Sequence, residues 1–260
     1  MNWITSGDAI MFGHKFNERL DNELISGFKK LLFSNHTLSK ILFENYINDY
    51  YDSFYCYPSE FNQDVSELPQ SLTIIKFGHM FNQDVSALPH TLTHLYFGHD
   101  FNQDVSALPH TLTHLYFGHD FNQDVSNLPQ TLISIDLGVN FNQQSNIGPY
   151  IKYLKLNCNN QYIIDSLPNS IIELKLEFNF NLRIDNLPTS IKKLVFSMES
   201  DYNKDLNSLP NFIEELHLPN SYSKPILNIP TNLKKLVCCK KYKHRLDFAN
   251  KGVQVFTFEY

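Results

Sequence analysis

Three histidines stand at the same place in a repeated stretch of the sequence. His79, His99 and His119 are spaced 20 residues apart, and Asp100 and Asp120 directly follow the last two. If the repeat brings equivalent residues side by side, their imidazoles and carboxylates form a stack that suits zinc or copper. Duplication of a repeat places every one of its residues in such a column, so the regular spacing is not by itself evidence of metal binding. The sequence therefore predicts no metal site and no other cofactor. This histidine ladder (His79, His99 and His119) is kept as a metal-binding or anion-binding alternative.

A second column consists of aspartates that each stand two residues before a serine. Its members are Asp64, Asp84, Asp104 and Asp124. Carboxylates at a constant interval suggest calcium, but calcium-binding solenoids carry glycine-aspartate loops that this sequence lacks. Aspartate also accepts hydrogen bonds from its own backbone two residues on. The column therefore predicts capping of local turns.

The sequence offers no arrangement of residues that is typical of an enzyme. It has no phosphate-binding glycine loop, no G-x-S-x-G and no H-E-x-x-H motif. Most of the 11 histidines are repeat copies, whereas an active site needs unique residues that converge in one pocket. We therefore expect no catalytic activity.

Composition narrows the classes of partner. The chain has 260 residues, 42% hydrophobic content and a formal net charge of −6, which allows a packed core but disfavours nucleic acid and anionic membrane as partners. No apolar run approaches the ~18 residues of a membrane span, and the amino terminus does not resemble a secretory signal. Its four scattered cysteines fit reduced thiols. We expect an intracellular, cytoplasmic protein, located in the host cytoplasm if a virus encodes it.

The dominant feature of the chain is a 20-residue repeat. FNQDVSALPHTLTHLYFGHD occurs at 81–100 and again at 101–120 without a change, inside a longer array marked by Leu-Pro and L-x-x-L-x-F. A unit this short cannot close its own core, so neighbouring units must stack and share one. The alternation at the end of each motif predicts a short strand. The expected fold is mainly β, a leucine-rich-repeat-like solenoid with one short parallel strand per ~20-residue turn and little helix.

Other repeat positions carry structural expectations. Glycine after each strand, as at Gly98, suggests a corner with positive φ. The returning segment F-N-Q-D-V-S-x-L has no helical period and predicts turns without an α-helix. The recurring phenylalanines should stack about 4.8 Å apart as an aromatic spine, and the asparagines that follow them should satisfy backbone groups of the adjacent turn. These residues are Phe61, Phe81, Phe101, Phe121 and Phe141, with Asn62, Asn82, Asn102, Asn122 and Asn142.

The two ends of the array depart from the repeat. We interpret residues 1–60 as degenerate repeats that form an amino-terminal cap, because FGHKFN at 12–17 matches FGHMFN at 77–82. Residues 18–36 have room for a helix. Residues 61–260 are predicted to form the regular solenoid, with a carboxy-terminal cap at about 239–260 and a last inward set of Val253, Phe256 and Phe258.

The repeat resembles a known family. The pattern L-P-x-T/S-L-T-x-L-x-F-G-x-x-F-N-Q, strongest in residues 61–142, is similar to the FNIP repeat, a leucine-rich-repeat-like unit of cellular slime moulds and of giant viruses that infect amoebae. The resemblance implies a protein-interaction solenoid. Some viral relatives carry an amino-terminal F-box that links a bound target to ubiquitin ligation, whereas here FGHKFN already begins at residue 12.

The outward side chains of the strands are the candidate binding surface, since they are free of packing duties. Tyrosine and histidine bring rigid amphipathic area that suits a protein partner, although aromatic neighbours also stabilise a sheet by themselves. The predicted partner-binding residues are His94, Tyr96, His114, Tyr116, Asp136, Tyr153, Lys155, Lys175 and Lys193.

The sequence thus predicts a non-enzymatic, monomeric scaffold that binds an unidentified protein on its exposed strand face. Three alternatives stay open. The first is the histidine ladder as a metal or anion site, and the second is a target-recognition subunit of a ubiquitin ligase without its own F-box. The third is a self-assembling or purely structural array.

Overall fold

The computed structural model describes residues 3–34 and 59–259. These residues form a β-solenoid with one short strand in each turn and little helix, which confirms the predicted fold class. Two compact units divide the chain, the first covering residues 1–132 and the second residues 133–260. The predicted degenerate repeat at 37–48 lies outside the described residues.

In its described residues, 3–34 and 59–132, the first unit contains six strands and one helical turn. An antiparallel hairpin of β1 and β2 turns at Gly7, which has a φ of 55°, and β2 to β6 then pair in parallel and in chain order. The helix α1 falls in the segment for which the sequence allowed one. The elements are β1 (Trp3–Ser6), β2 (Ala9–Phe12), α1 (Asn22–Ile25), β3 (Lys30–Phe33), β4 (Ile74–Lys76), β5 (His94–Tyr96) and β6 (His114–Tyr116).

Pairing of β5 with β6 places equivalent residues of the two identical repeats side by side. Leu95 pairs with Leu115, and the residues that flank them pair in the same register. Leu92, Leu95 and Leu115 are completely buried. Burial of one leucine side chain contributes about 2 kcal/mol, so the repeated leucines contribute substantially to the cohesion between turns.

The aromatic spine is present in the first unit, with a wider spacing than the sequence predicts. The rings of Phe81 and Phe101 lie parallel with centroids 6.2 Å apart, whereas the prediction was about 4.8 Å from the separation of strands. A second set of rings packs beside the first. Phe77 lies 3.7 Å from Phe81 and Phe97 lies 3.6 Å from Phe101, whereas Phe101 lies 6.5 Å from Phe117 of the next repeat. The two phenylalanines of each repeat therefore form a close pair.

The glycines at the end of the strands are required for a reason other than the predicted one. Among the residues that the structure describes, positive φ occurs only at Gly7 and Gly252, so the expectation of positive φ at Gly98 is wrong. A Cβ on Gly98 would overlap the carbonyl group of Gly78, and one on Gly118 would overlap that of Gly98. Glycine therefore permits the close approach of successive turns.

The asparagine column performs the role that its position predicts. The side-chain oxygen of Asn82 accepts a hydrogen bond from the backbone N–H of Asn102 at 3.0 Å, and that of Asn102 accepts one from Asn122 at 2.9 Å. Asn17 accepts the same bond from Asn62 at 2.9 Å. Each turn thus satisfies a backbone donor of the next. That residues 1–60 as a whole act as a cap remains a prediction.

The second unit contains seven strands, all parallel and paired in chain order. No helix in the described ranges, 3–34 and 59–259, combines the length and apolar character that a bilayer crossing requires. The elements are β7 (Ser134–Leu137), β8 (Tyr153–Leu156), α2 (Gln161–Asp165), β9 (Glu173–Leu176), β10 (Lys193–Phe196), β11 (Glu215–His217), β12 (Lys235–Cys239), α3 (Arg245–Ala249) and β13 (Gln254–Phe258).

Two features of the second unit differ from the sequence prediction. The segment that returns from β8 contains the helix α2, because Asn160 caps it by accepting a hydrogen bond from the N–H of Ile163 at 3.3 Å. The last strand is also offset. Leu236 pairs with Val255, so the predicted inward residue Phe256 is instead 50% exposed.

Candidate functional site

The outward side chains of β5 and β6 form a compact aromatic surface in the first unit. The imidazoles of His94 and His114 stack with centroids 4.2 Å apart and an angle of 4° between their planes. The phenols of Tyr96 and Tyr116 stack at 4.3 Å and 2°. All four side chains are partly exposed. We call this surface the aromatic strand face (His94, Tyr96, His114 and Tyr116).

Threonines behind the imidazoles hold their orientation. The Thr93 hydroxyl lies 3.0 Å from Nδ1 of His94 and donates to the backbone oxygen of Thr73 at 3.1 Å. Thr113 contacts His114 in the same way at 2.9 Å. Because each hydroxyl uses its proton on a backbone carbonyl, the imidazole Nδ1–H is the donor to the hydroxyl oxygen. The arrangement selects the tautomer with an unprotonated Nε2.

Partial burial keeps this surface uncharged. Desolvation lowers the pKa of His94, with a further contribution from the neighbouring His114, and burial also lowers the pKa of His114. Burial raises the pKa of Tyr96 well above its usual value, and the adjacent Tyr116 adds to this shift. At neutral pH the aromatic strand face therefore presents neutral imidazoles and neutral phenols. Their desolvation on binding costs less free energy than that of charged groups.

The predicted site residues of the second unit have a different character. Asp136 is buried, with 3% of its surface exposed, so the prediction that it lies on an exposed binding face is wrong. Nζ of Lys155 lies 3.0 Å from its carboxylate and 3.4 Å from that of Glu177. The lysine side chain covers the aspartate, and both charges are used within the unit.

Two further lysines of the prediction are also paired. Nζ of Lys175 and Nζ of Lys193 each lie 3.4 Å from Oε1 of Glu173. Tyr153 is 44% exposed. Lys155, Lys175 and Lys193 of the second unit are thus all engaged in ion pairs with carboxylates of the same unit.

The histidine ladder lies at the corner after the strands of the first unit. Successive rings stack with centroids 4.5 Å apart, first His79 on His99 and then His99 on His119. Nδ1 of His99 lies 2.8 Å from Oδ1 of Asp100, and Nδ1 of His119 lies 2.8 Å from Oδ1 of Asp120. We call these five residues the histidine corner. It differs chemically from the aromatic strand face, because carboxylates contact its imidazoles.

The second aspartate column caps turns, as predicted. Oδ1 of Asp84 accepts from the backbone N–H of Ser86 at 2.9 Å, and Oδ2 accepts from the Ser86 hydroxyl at 2.9 Å. The same bonds recur at Asp64 and Asp104. The backbone bond, followed by the hydroxyl bond, lowers the pKa of each of these carboxyls. Their oxygens are committed to turns and do not converge on a cation.

A polar depression of about 510 Å³ opens on the second unit. Its lining combines the cations Arg183, Lys204 and Lys224 with the carboxylates Asp185 and Asp205. Asp185 accepts a hydrogen bond from Ser208 at 3.0 Å. The depression thus combines acidic and basic side chains in one lining.

Comparison with known families identifies the repeat. The FNIP repeat family model matches residues 61–100, 84–120 and 101–139. Residues 61–139 consist of FNIP repeats. The matched FNIP repeats carry both the aromatic strand face and the histidine corner. A search of curated protein sequences finds no match.

Similarity to one solved structure supports a leucine-rich-repeat-like fold. CroV588, a giant-virus protein described as a novel circular LRR structure, is 26% identical with a TM-score of 0.51 and aligns over 88% of this chain and 39% of its own. YopM from Yersinia enterocolitica WA-314 is 20% identical, with a TM-score of 0.43, over 66% of this chain and 43% of its own. The functional domain of InlJ from Listeria monocytogenes is 15% identical, with a TM-score of 0.44, over 97% of this chain and 53% of its own. The chain therefore spans between 39% and 53% of these structures.

Sequence reasoning missed the threonines that support the site. The Thr91 hydroxyl lies 2.7 Å from the backbone oxygen of Gln70 and 2.6 Å from that of Leu72. Thr111 bridges the equivalent pair of carbonyls one turn later. Threonine recurs at the repeat positions of Thr91 and Thr93 in successive FNIP repeats. These columns of hydroxyl residues beside the strands could have indicated the supporting role from the sequence.

Proposed function

We propose that this chain is a non-enzymatic scaffold that captures a protein partner on the aromatic strand face of its first unit. The observation that carries the proposal is the parallel stacking of His94 on His114 and of Tyr96 on Tyr116. Tyrosine is among the residues that most often dominate binding energy at protein interfaces. Leucine-rich-repeat-like solenoids commonly present such residues on a rigid sheet.

Stacking supports the proposal because it prepares the side chains for contact. Immobilising a flexible side chain at an interface costs about 0.5–1.5 kcal/mol. Tyr96 and Tyr116 are already ordered by each other, and Thr93 fixes the ring of His94. Binding of a partner to this surface therefore loses little side-chain entropy. The polar groups of the partner can form hydrogen bonds with the phenol oxygens and the imidazole Nε2 atoms.

The charge of the surrounding FNIP repeats favours a basic partner. Residues 61–132 contain seven carboxylates and one lysine, Lys76. Such a field raises the association rate of a positively charged surface, and salt screens it over about 8 Å at physiological ionic strength. We infer a partner whose contact surface combines lysine or arginine with apolar groups, and whose association slows as salt is added.

The experiment is a comparison of variants in affinity purification from the natural host, followed by mass spectrometry. Tyr96→Ser with Tyr116→Ser removes the aromatic area and keeps small polar groups on the strands. Tyr153→Ser, at an exposed tyrosine of the second unit, is the matched control. The double variant should lose the partners that both the wild type and the control retain, with an unchanged circular dichroism spectrum. Retention of the same partners by the folded double variant refutes the proposed surface.

A further inference from the structure

The histidine corner brings together ligand atoms that metal ions use. His79, His99 and Asp100 form one triad, and His99, His119 and Asp120 form another, with the ligand atoms of each triad within 4.8 Å of one another. The side chains are between 38% and 42% exposed, so an ion can reach them from solvent without any opening of the fold.

The separations between these atoms match those of a coordination shell. Zinc binds imidazole nitrogen and carboxylate oxygen at about 2.0–2.2 Å, so two ligands of one ion lie about 3.0 Å apart in octahedral and about 3.4 Å apart in tetrahedral geometry. Oδ1 of Asp100 lies 2.8 Å from Nδ1 of His99 and 3.6 Å from Nε2 of His79. In the second triad, Oδ1 of Asp120 lies 2.8 Å from Nδ1 of His119 and Oδ2 lies 3.6 Å from Nδ1 of His99.

We propose that the histidine corner binds one divalent transition-metal ion of the zinc class, held by two imidazoles and one carboxylate. The ion takes the place of the proton that now joins His99 to Asp100, or His119 to Asp120. Water completes the coordination shell at the exposed side. Imidazole and carboxylate together suit zinc, nickel and copper better than magnesium or calcium, which prefer oxygen ligands.

The stoichiometry follows from the residue that the two triads share. Each triad needs a nitrogen of His99, and Nδ1 of that ring faces both carboxylates. Occupation of one triad therefore withdraws the nitrogen from the other. We expect one ion per chain, distributed over two nearly equivalent positions that identical repeats have created.

A second histidine pair on the same unit supplies an internal control. His94 and His114 stack at 4.2 Å, closer than the rings of the corner, but they are held by the hydroxyls of Thr93 and Thr113. Stacking alone is therefore common to both pairs, and the carboxylates distinguish the corner. The metal proposal involves none of the residues of the aromatic strand face, so each proposal can fail without the other.

The test is titration of the full-length, tag-free protein with zinc chloride in a calorimeter. The wild type should bind one ion. His99→Gln breaks both triads and should weaken binding at least tenfold, whereas His79→Gln leaves the second triad intact and should weaken it only about twofold, the factor for losing one of two equal positions. His114→Gln, on the aromatic strand face, should leave binding unchanged.

A second variant avoids dependence on a single histidine. Asp100→Asn with Asp120→Asn preserves the size of both side chains but removes both carboxylates, and it should also weaken zinc binding at least tenfold. Thermal unfolding followed by circular dichroism confirms that each variant is folded. The proposal is overturned if the wild type does not bind zinc. It is also overturned if folded His99→Gln, or the folded double aspartate variant, binds zinc as tightly as the wild type. An equal loss in His114→Gln overturns it too, because binding would then reflect surface histidines in general.

Discussion

Tyr96 and Tyr116 lie one above the other with their rings 4.3 Å apart and inclined by 2°. This contact depends on the parallel register of β5 and β6, in which the two residues are direct partners. In the same register, successive turns approach closely at Gly98 and Gly118, where a Cβ would overlap the backbone of the preceding turn. The proposed binding surface therefore depends on residues that lie outside it, and several of these can be tested singly.

The close approach of turns makes Gly98 intolerant of a side chain. Gly98→Ala would drive a methyl group into the carbonyl of Gly78, and we expect a loss of about 1–3 kcal/mol in the free energy of unfolding, the range for overpacking. Gly27→Ala is the control, because a Cβ there meets no atom within 4 Å. Urea unfolding measures both variants. Equal midpoints for the two would contradict the packing argument.

The asparagine column predicts a cost for removing one acceptor. Asn102 accepts from the N–H of Asn122 at 2.9 Å and from Nε2 of Gln123 at 3.0 Å. Asn102→Ala removes both hydrogen bonds, which are exposed to solvent, and should destabilise the chain by about 0.5–1.5 kcal/mol for each of them. Asn102→Asp keeps an oxygen in place and should cost less. Chemical denaturation gives the order of the two variants, and a greater loss for Asn102→Asp than for Asn102→Ala would contradict the role assigned to the acceptor oxygen.

The buried ion pair of the second unit predicts strong asymmetry between single and double variants. The side chain of Asp136 is 4% exposed and that of Lys155 20%. Lys155→Met leaves the buried Asp136 carboxylate without its lysine and should lower the free energy of unfolding by about 3–5 kcal/mol. Adding Asp136→Asn removes the charge and should restore a large part of that loss. A double-mutant cycle by urea denaturation measures the coupling, and additive effects would mean that the two groups do not interact.

The strand-face histidines predict a loss of stability in mild acid. Burial lowers the pKa of His94 and His114 below the value of 6.5 for free histidine, so the unfolded chain binds protons more readily than the folded one. Their contribution is fully present above pH 6.5 and is lost as the pH falls from there toward the folded pKa values. Thermal melts across this range should show a weaker pH dependence for His94→Gln with His114→Gln. An unchanged slope would contradict the assignment.

Repetition made much of this structure predictable. Hydrophobic residues recur at the positions of Leu92, Leu95 and Phe97 in each FNIP repeat, mostly with polar residues between them, and that alternation was sufficient to predict one inward-facing strand per turn. The asparagine column and the capping aspartates were predictable for a related reason, because each acts on backbone within the same or the adjacent turn. Such local roles depend on spacing alone.

What could not be predicted depends on packing between side chains. Asp136 stands at an outward-facing position of its strand, yet the long side chain of Lys155 covers it. The periodicity of the sequence does not reveal such a contact. Asn160 stands where other turns have an aromatic residue, and its capping bond begins a helix instead. Gly98 was assigned to the correct corner for the wrong reason, since the distance between neighbouring backbones is invisible in a sequence.

The glycine contact between turns has an evolutionary consequence. Because the upper surface of one identical repeat fits the lower surface of the next, a further 60 nucleotides inserted in frame between residues 100 and 101 would create no new type of contact. Unequal recombination can thus lengthen or shorten this gene without a period of misfolding. Each gained copy would add one tyrosine, three histidines and two carboxylates to columns that already exist, so the ligand capacity of the protein can change with the number of repeats as well as by substitution.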